Sequence, residues 1–218
     1  MSARGAKGYW CLFIQALVVI AFGSLFAASC LDMHDKNHES ESDNGINGFK
    51  AESDGIWIDP STGLMWQKTA MCCFQQFQLY AEEACEKLNI NGVTGWRIPT
   101  ISELRSIVRG CPATVEGGEC DVTDDCRDEN CFNDSCRGCE YEKGPGGDGD
   151  YLPDELSDNG TDEERQQKYY WSSTFTYYLG DDLTNGLWAM QFEMARIAPF
   201  PYTEKLRVRC VKTHDFKE

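Results

Sequence analysis

The chain has 218 residues, with 36 acidic against 20 basic side chains, a formal net charge of −16, and twelve cysteines. That balance excludes recognition of nucleic acid or anionic lipid through a basic surface, because like charge repels phosphate. Twelve cysteines in so small a chain point to an oxidising compartment, where thiols pair.

The first thirty residues read as an export signal. Arg4 and Lys7 precede an apolar run from Tyr9 to Ala28, which closes on Ala27, Ala28 and Ser29 just before Cys30. Basic residues, an apolar stretch and small residues in that order mark a segment removed on secretion, 1–29 here. Cys30 at that point resembles the lipobox of bacterial lipoproteins, where the cysteine is acylated and becomes the new N-terminus. Ala27 and Ser29 also suit ordinary cleavage without lipid, and a run of ~20 residues is long enough for an uncleaved anchor.

Parity favours lipidation. Cys11 falls in the signal and Cys30 at the cleavage point, which leaves Cys72, Cys73, Cys85, Cys111, Cys120, Cys126, Cys131, Cys136, Cys139 and Cys210, an even set able to pair fully. Zinc is the rival explanation. Cys136 and Cys139 form a CxxC, but no second knuckle matches it, and export disfavours thiolate sites. Cleavage leaves 189 residues at net charge −18, enough for one domain with its own core.

Residues 30–48 are polar and charged and cannot bury enough surface to offset chain entropy, so they read as a lipidated, flexible tether. A domain spans 49–214. Ile56-Trp57-Ile58 and Leu64-Met65-Trp66 flank Asp59-Pro60-Ser61-Thr62-Gly63, a hairpin pattern with Pro and Gly at turn positions. Phe74, Phe77, Ala81, Ala84, Cys85 and Leu88 recur at three- and four-residue steps, which predicts a helix over 74–88. Thr100 with Glu103 three later is a capping box, so a second helix should run over 101–108. Strands are expected over 169–175, 187–194 and 206–212, the last with Arg207, Arg209 and Lys212 giving it a solvated face.

Between them, 110–168 is a cysteine-rich acidic insertion. Residues 116–164 hold eighteen acidic side chains against Arg127, Arg137 and Lys143. A loop of this length without its own elements is unusual in a domain. Three internal disulfides among Cys111, Cys120, Cys126, Cys131, Cys136 and Cys139 would hold it together. The charge run reads first as a solvated face; it could also attract cations or basic partners.

Four motifs in order carry a family resemblance: Asp59-Pro60-x-Thr62-Gly63-Leu64-Met65-Trp66; Gly95-Trp96-Arg97-Ile98-Pro99-Thr100 with Glu103-Leu104; Tyr170-Trp171-Ser172-Ser173; and Val208-Arg209-Cys210-Val211. Over about 48–212 the chain resembles the bacterial domain named after the C-terminal domain of the Legionella collagen-like adhesin. The resemblance implies an α+β, C-type-lectin-like fold with two helices flanking antiparallel strands, and a role in surface attachment to host polysaccharide. There is no Gly-X-Y repeat, so the adhesin's stalk and trimer do not carry over. In that fold a disulfide ties the first helix to the last strand, which implies Cys85 with Cys210. Cys72 or Cys73 would then pair into the start of the insertion.

The calcium-sugar tripeptides of C-type lectins are absent; Cys131-Phe132-Asn133-Asp134 comes nearest to one, inside the insertion. Asp148, Asp150, Asp154 and Glu155 offer oxygen ligands at close spacing as calcium candidates, although the EF-hand pattern is missing and a solvated role is the simpler reading. No other cofactor is implied. His34 and His38 in the tether and His214 near the C-terminus give acid-base catalysis nothing to build on in the core, so no catalytic residues are assigned and no enzyme is expected. Trp66, Trp96, Trp171 and Trp188 suit the core, while Tyr177, Tyr178 and Phe200 are candidates for stacking on a ligand. Arg97 should brace the turn before the second helix.

These features predict an exported, lipid-anchored, non-catalytic module of the bacterial cell envelope that binds a glycan or a surface protein. The alternative is a structural envelope lipoprotein packed against other envelope proteins. The ligand-binding residues are not readable from the sequence.

Overall fold

The computed structural model describes residues 54–71, 77–157, 169–179 and 183–214. The signal segment 1–29, Cys30, the rest of the tether 31–48, and Cys72 with Cys73 lie outside these residues. Strands β1 (Ile56–Ile58) and β2 (Leu64–Gln67) pair antiparallel, with Trp57 opposite Trp66. The turn between them closes on Asp59, which is fully buried. One carboxylate oxygen accepts from the Ser61 amide and hydroxyl, the other from the Thr62 hydroxyl. An aspartate that bonds its own turn in this way fixes the loop locally, and Arg109 adds a long-range ion pair to the same carboxylate at 3.5 Å. Gly63, at φ +69°, supplies the left-handed step.

Helix α1 (Phe77–Glu86) turns Ala81 and Cys85 into the core, as the 3.6-residue stripe requires. A disulfide joins Cys85 to Cys210, 125 residues away. Helix α2 (Ile101–Ser106) starts at Thr100 with both reciprocal bonds of the capping box. It is shorter than the expected 101–108.

A second antiparallel sheet follows in the order β3–β4–β5: β3 (Tyr169–Leu179), β4 (Leu183–Gln191) and β5 (Arg196–Pro201). β3 extends beyond the expected Phe175, with an irregularity between Trp171 and Phe175. β4 starts and stops earlier than 187–194. β5 was not expected, because Pro199 and Pro201 argue against a strand; they are tolerated because β5 is an edge and pairs only with β4. Strand β6 (Val211–Thr213) returns to β2, giving the first sheet the order β1–β2–β6. The fold is α+β, with two three-stranded antiparallel sheets.

The second sheet is buried on both faces. Trp171, Leu187 and Ala189 pack with Ile56, Ala81, Cys85, Trp96 and Val208. Tyr170, Trp188, Met190 and Ile197 pack on the other side with Trp57, Trp66, Ile101 and Leu104. All four tryptophans assigned to the core are at most 2% exposed.

The insertion departs most from expectation. Its described residues form only short 3-10 turns, Glu129–Cys131, Asp134–Arg137 and Asp154–Leu156. Yet it buries Val122, Tyr151, Leu152 and Leu156 in the second core, so it is part of the domain and not a flap on it. Its disulfides are nested: Cys111–Cys139 outside, Cys120–Cys136 within, Cys126–Cys131 innermost. All six insertion cysteines therefore bond one another. This corrects the expected bond from Cys72 or Cys73 into the start of the insertion.

Residues 206–210 give a second correction. The segment makes isolated bridges from Arg207 to Tyr170 and from Val208 to Met71 before β6 begins. Arg207 and Arg209 do not form a solvated face; they are 6% and 0% exposed. The Arg209 guanidinium donates to the carbonyls of Gln67, Lys68 and Leu156, and both arginines lie over the Tyr170 ring. A buried guanidinium is tolerated where fixed carbonyls and an aromatic face replace its water.

Candidate functional site

A cleft of about 270 Å³ opens between the β1–β2 turn, the start of α2 and the insertion. It is lined by Thr62, Leu64, Thr100, Ser102, Glu103, Ser106, Glu116 and Asp124. Each wall is held by hydrogen bonds before any ligand is considered. The hairpin wall rests on the Asp59 network that fixes Thr62. The helix wall rests on the capping box: the Thr100 hydroxyl accepts from the Glu103 amide at 3.2 Å, and the Glu103 carboxylate accepts from the Thr100 amide at 2.8 Å. Arg97 completes it with a two-pronged ion pair to Glu103 at 2.7 and 2.5 Å. That bond raises the guanidinium's pKa above its ordinary value.

The insertion wall is fixed from α2. Arg105, 2% exposed, donates Nε to the Thr114 carbonyl at 3.0 Å and Nη2 to the Val115 carbonyl at 2.8 Å. Its Nη1 donates to the Val122 carbonyl. These carbonyls bracket Glu116 and stand two residues before Asp124. Burial lowers the Arg105 pKa, and the nearby charges of Glu116, Asp121 and Asp124 oppose that shift. Asp124 is anchored a second time: its Oδ1 accepts from the Ser102 amide at 3.0 Å and the Thr174 hydroxyl at 3.1 Å. The Thr174 hydroxyl oxygen in turn accepts from the Ile101 amide.

The groups left for a ligand are mixed. The Ser106 hydroxyl donates to the Glu103 carbonyl and the Thr62 hydroxyl to Asp59. The Ser102 hydroxyl and the Glu116 carboxylate have no hydrogen-bond partner among the described residues. Half-buried Leu64 adds an apolar wall.

The calcium candidates are not gathered. Among the described residues no group of three or more histidines, cysteines, aspartates or glutamates could hold a metal ion. Asp154 and Glu155 open a 3-10 turn whose Leu156 is buried, which leaves both carboxylates at the surface, while Asp148 and Asp150 lie in the preceding glycine turn. The Cys131–Asp134 stretch is structural. Phe132 stacks with Trp188 at 6.2 Å, and Asn133 donates to the Glu119 carbonyl and the Asp121 carboxylate. Tyr177 is 53% exposed and meets Phe175 edge-on, while Phe200 is half-buried against Tyr169. The Tyr178 side chain lies outside the described set.

Sequence reasoning placed Thr100, Glu103 and Arg97 through the capping motif but assigned them no ligand. It missed Ser102, Glu116 and Asp124 as a group, because nothing local brings the insertion onto α2. The Arg105 guanidinium does, and a mid-helix arginine reads as solvent-facing.

The described residues thus form a disulfide-stapled α+β module with a polar cleft. The chain belongs to the Lcl C-terminal domain family, which matches residues 55–212. No curated protein and no solved structure matches it. No helix among the described residues is long and apolar enough to cross a membrane.

Proposed function

We propose that this chain is an exported, non-catalytic surface binding module with a C-type-lectin-like fold, anchored by lipid at Cys30 and recognising a glycan or a surface protein. Family membership over 55–212 carries the reading, since the family suggests an adhesin-like surface module. The cleft supports it: three walls locked before any ligand arrives lower the ordering cost of binding.

The test is a glycan-array screen of the full chain purified in detergent, run with calcium and with chelator. Reproducible binding in both supports the module. A blank array, with co-purification in a stable envelope complex, favours the second reading, a structural envelope lipoprotein. One observation speaks for that reading: Leu79 and Tyr80 on α1 are 68% and 49% exposed, which is apolar surface a partner could cover.

A further inference from the structure

The geometry points to the cleft between Thr62, Ser102 and Asp124 as the recognition site, built for one uncharged pyranose residue, with uronic and sulfated sugars excluded. This rests on the binding-module reading above and assigns it a place and a ligand class.

Size comes first. About 270 Å³ lies just under the roughly 300–1,000 Å³ of pockets that enclose drug-sized ligands, so the cleft seats a single ring. Chemistry comes second. A pyranose offers hydroxyls that both donate and accept around an edge, and an apolar face of C–H groups. The cleft has the complement of each. The Glu116 carboxylate accepts only, the Ser102 hydroxyl donates and accepts, and Leu64 supplies an apolar surface. The Asp124 Oδ1 and Glu103 positions are held by their protein partners, so these groups do not have to reorganise when a ligand arrives.

Charge decides the ligand class. Glu103 is paired with Arg97, and Arg105 lies near Glu116 and Asp124 from outside the lining, so three carboxylates face the cleft against two guanidiniums and none of the lining residues is a cation. A sulfate or carboxylate placed there would meet a net negative lining with no cation in it to pair with. An uncharged ring incurs no such penalty, and its hydroxyls bind an ionised acceptor more strongly than a neutral one.

Ser102 is the residue to change. Its side chain is half-buried and its hydroxyl bonds no protein atom among the described residues. Ser102→Phe fills the cleft, and Ser102→Ala removes one hydroxyl without filling it. Using full chain in detergent against immobilised neutral and sulfated polysaccharides, the parent should bind neutral glycans. Ser102→Phe should lose at least tenfold in affinity and Ser102→Ala a few-fold, with unchanged thermal melting for Ser102→Ala. Free methyl pyranosides should compete, and glucuronate should not. Retention of neutral-glycan affinity in Ser102→Phe overturns the cleft assignment while leaving the binding module intact. Binding confined to sulfated or uronic glycans overturns the ligand class. A blank on every glycan overturns this inference together with the glycan reading on which it rests.

Discussion

The Arg105 Nη2 atom donates to the Val115 carbonyl oxygen at 2.8 Å, and through this and two companion bonds α2 holds the insertion in place. Replacing Arg105 by Met keeps the side chain's apolar stem but strands the buried carbonyls of Thr114 and Val122, while Val115 keeps the Gly118 amide. Each costs ~1–3 kcal/mol when unsatisfied, so a loss of about 2 kcal/mol or more is expected. For a domain of this size that lowers the melting temperature by about 4–8 °C. Arg105→Lys should recover little, because one ammonium cannot span three carbonyls on a planar fork. Calorimetry of the three proteins checks this, and an unchanged midpoint for Arg105→Met would remove Arg105 as the clamp.

The Cys85–Cys210 bond closes a loop of 125 residues between α1 and the segment leading into β6. Loop-closure entropy for a span of this length makes the bond worth about 3–5 kcal/mol. The double substitution Cys85→Ala with Cys210→Ala should therefore lower stability by that amount, measured by urea unfolding. Opening the innermost insertion bond, Cys126–Cys131, five residues apart, should cost distinctly less. Equal losses would contradict the entropic account.

Thr100 is the N-cap of α2 and also lines the cleft. Thr100→Ala removes the acceptor for the Glu103 amide and should cost about 1 kcal/mol. Thr100→Ser keeps that acceptor and should restore most of the loss. A serine variant as unstable as the alanine variant would mean that the methyl group, and not the cap, matters.

The elements that local rules govern were legible in the sequence. The hairpin at Asp59–Gly63, the helix stripe through Ala81 and Cys85, and the Thr100 cap each draw mainly on residues within a few positions, and they fold as read; the Arg109 ion pair to Asp59 is a long-range addition. What failed was long-range. Arg207 and Arg209 were read as solvated because charge normally is, yet both lie over the Tyr170 ring and Arg209 donates to the distant carbonyls of Gln67, Lys68 and Leu156. β5 was hidden by its prolines, which only an edge position permits. The cleft was invisible for the same reason, since Asp124 reaches Ser102 across 22 residues and Thr174 across 50. The family resemblance supplied one long-range pair, Cys85 with Cys210, that local reasoning had no means to choose.

The acidic insertion invites a metal, and the structure predicts indifference to one. Its compactness comes from nested disulfides, from the Arg105 bonds, and from Val122, Tyr151, Leu152 and Leu156 buried in the domain core. The Tyr151 hydroxyl ties the chain further by donating to the Glu140 carbonyl at 2.7 Å. Among the described residues Asp148, Asp150, Asp154 and Glu155 are not drawn into a shared site that calcium could bridge. A ligand that binds only the folded state raises the melting temperature in proportion to its affinity. Calcium and chelator should therefore leave the midpoint unchanged within error, while reductant should lower it. A rise with calcium that Asp154→Asn abolishes would restore the carboxylates as a binding site.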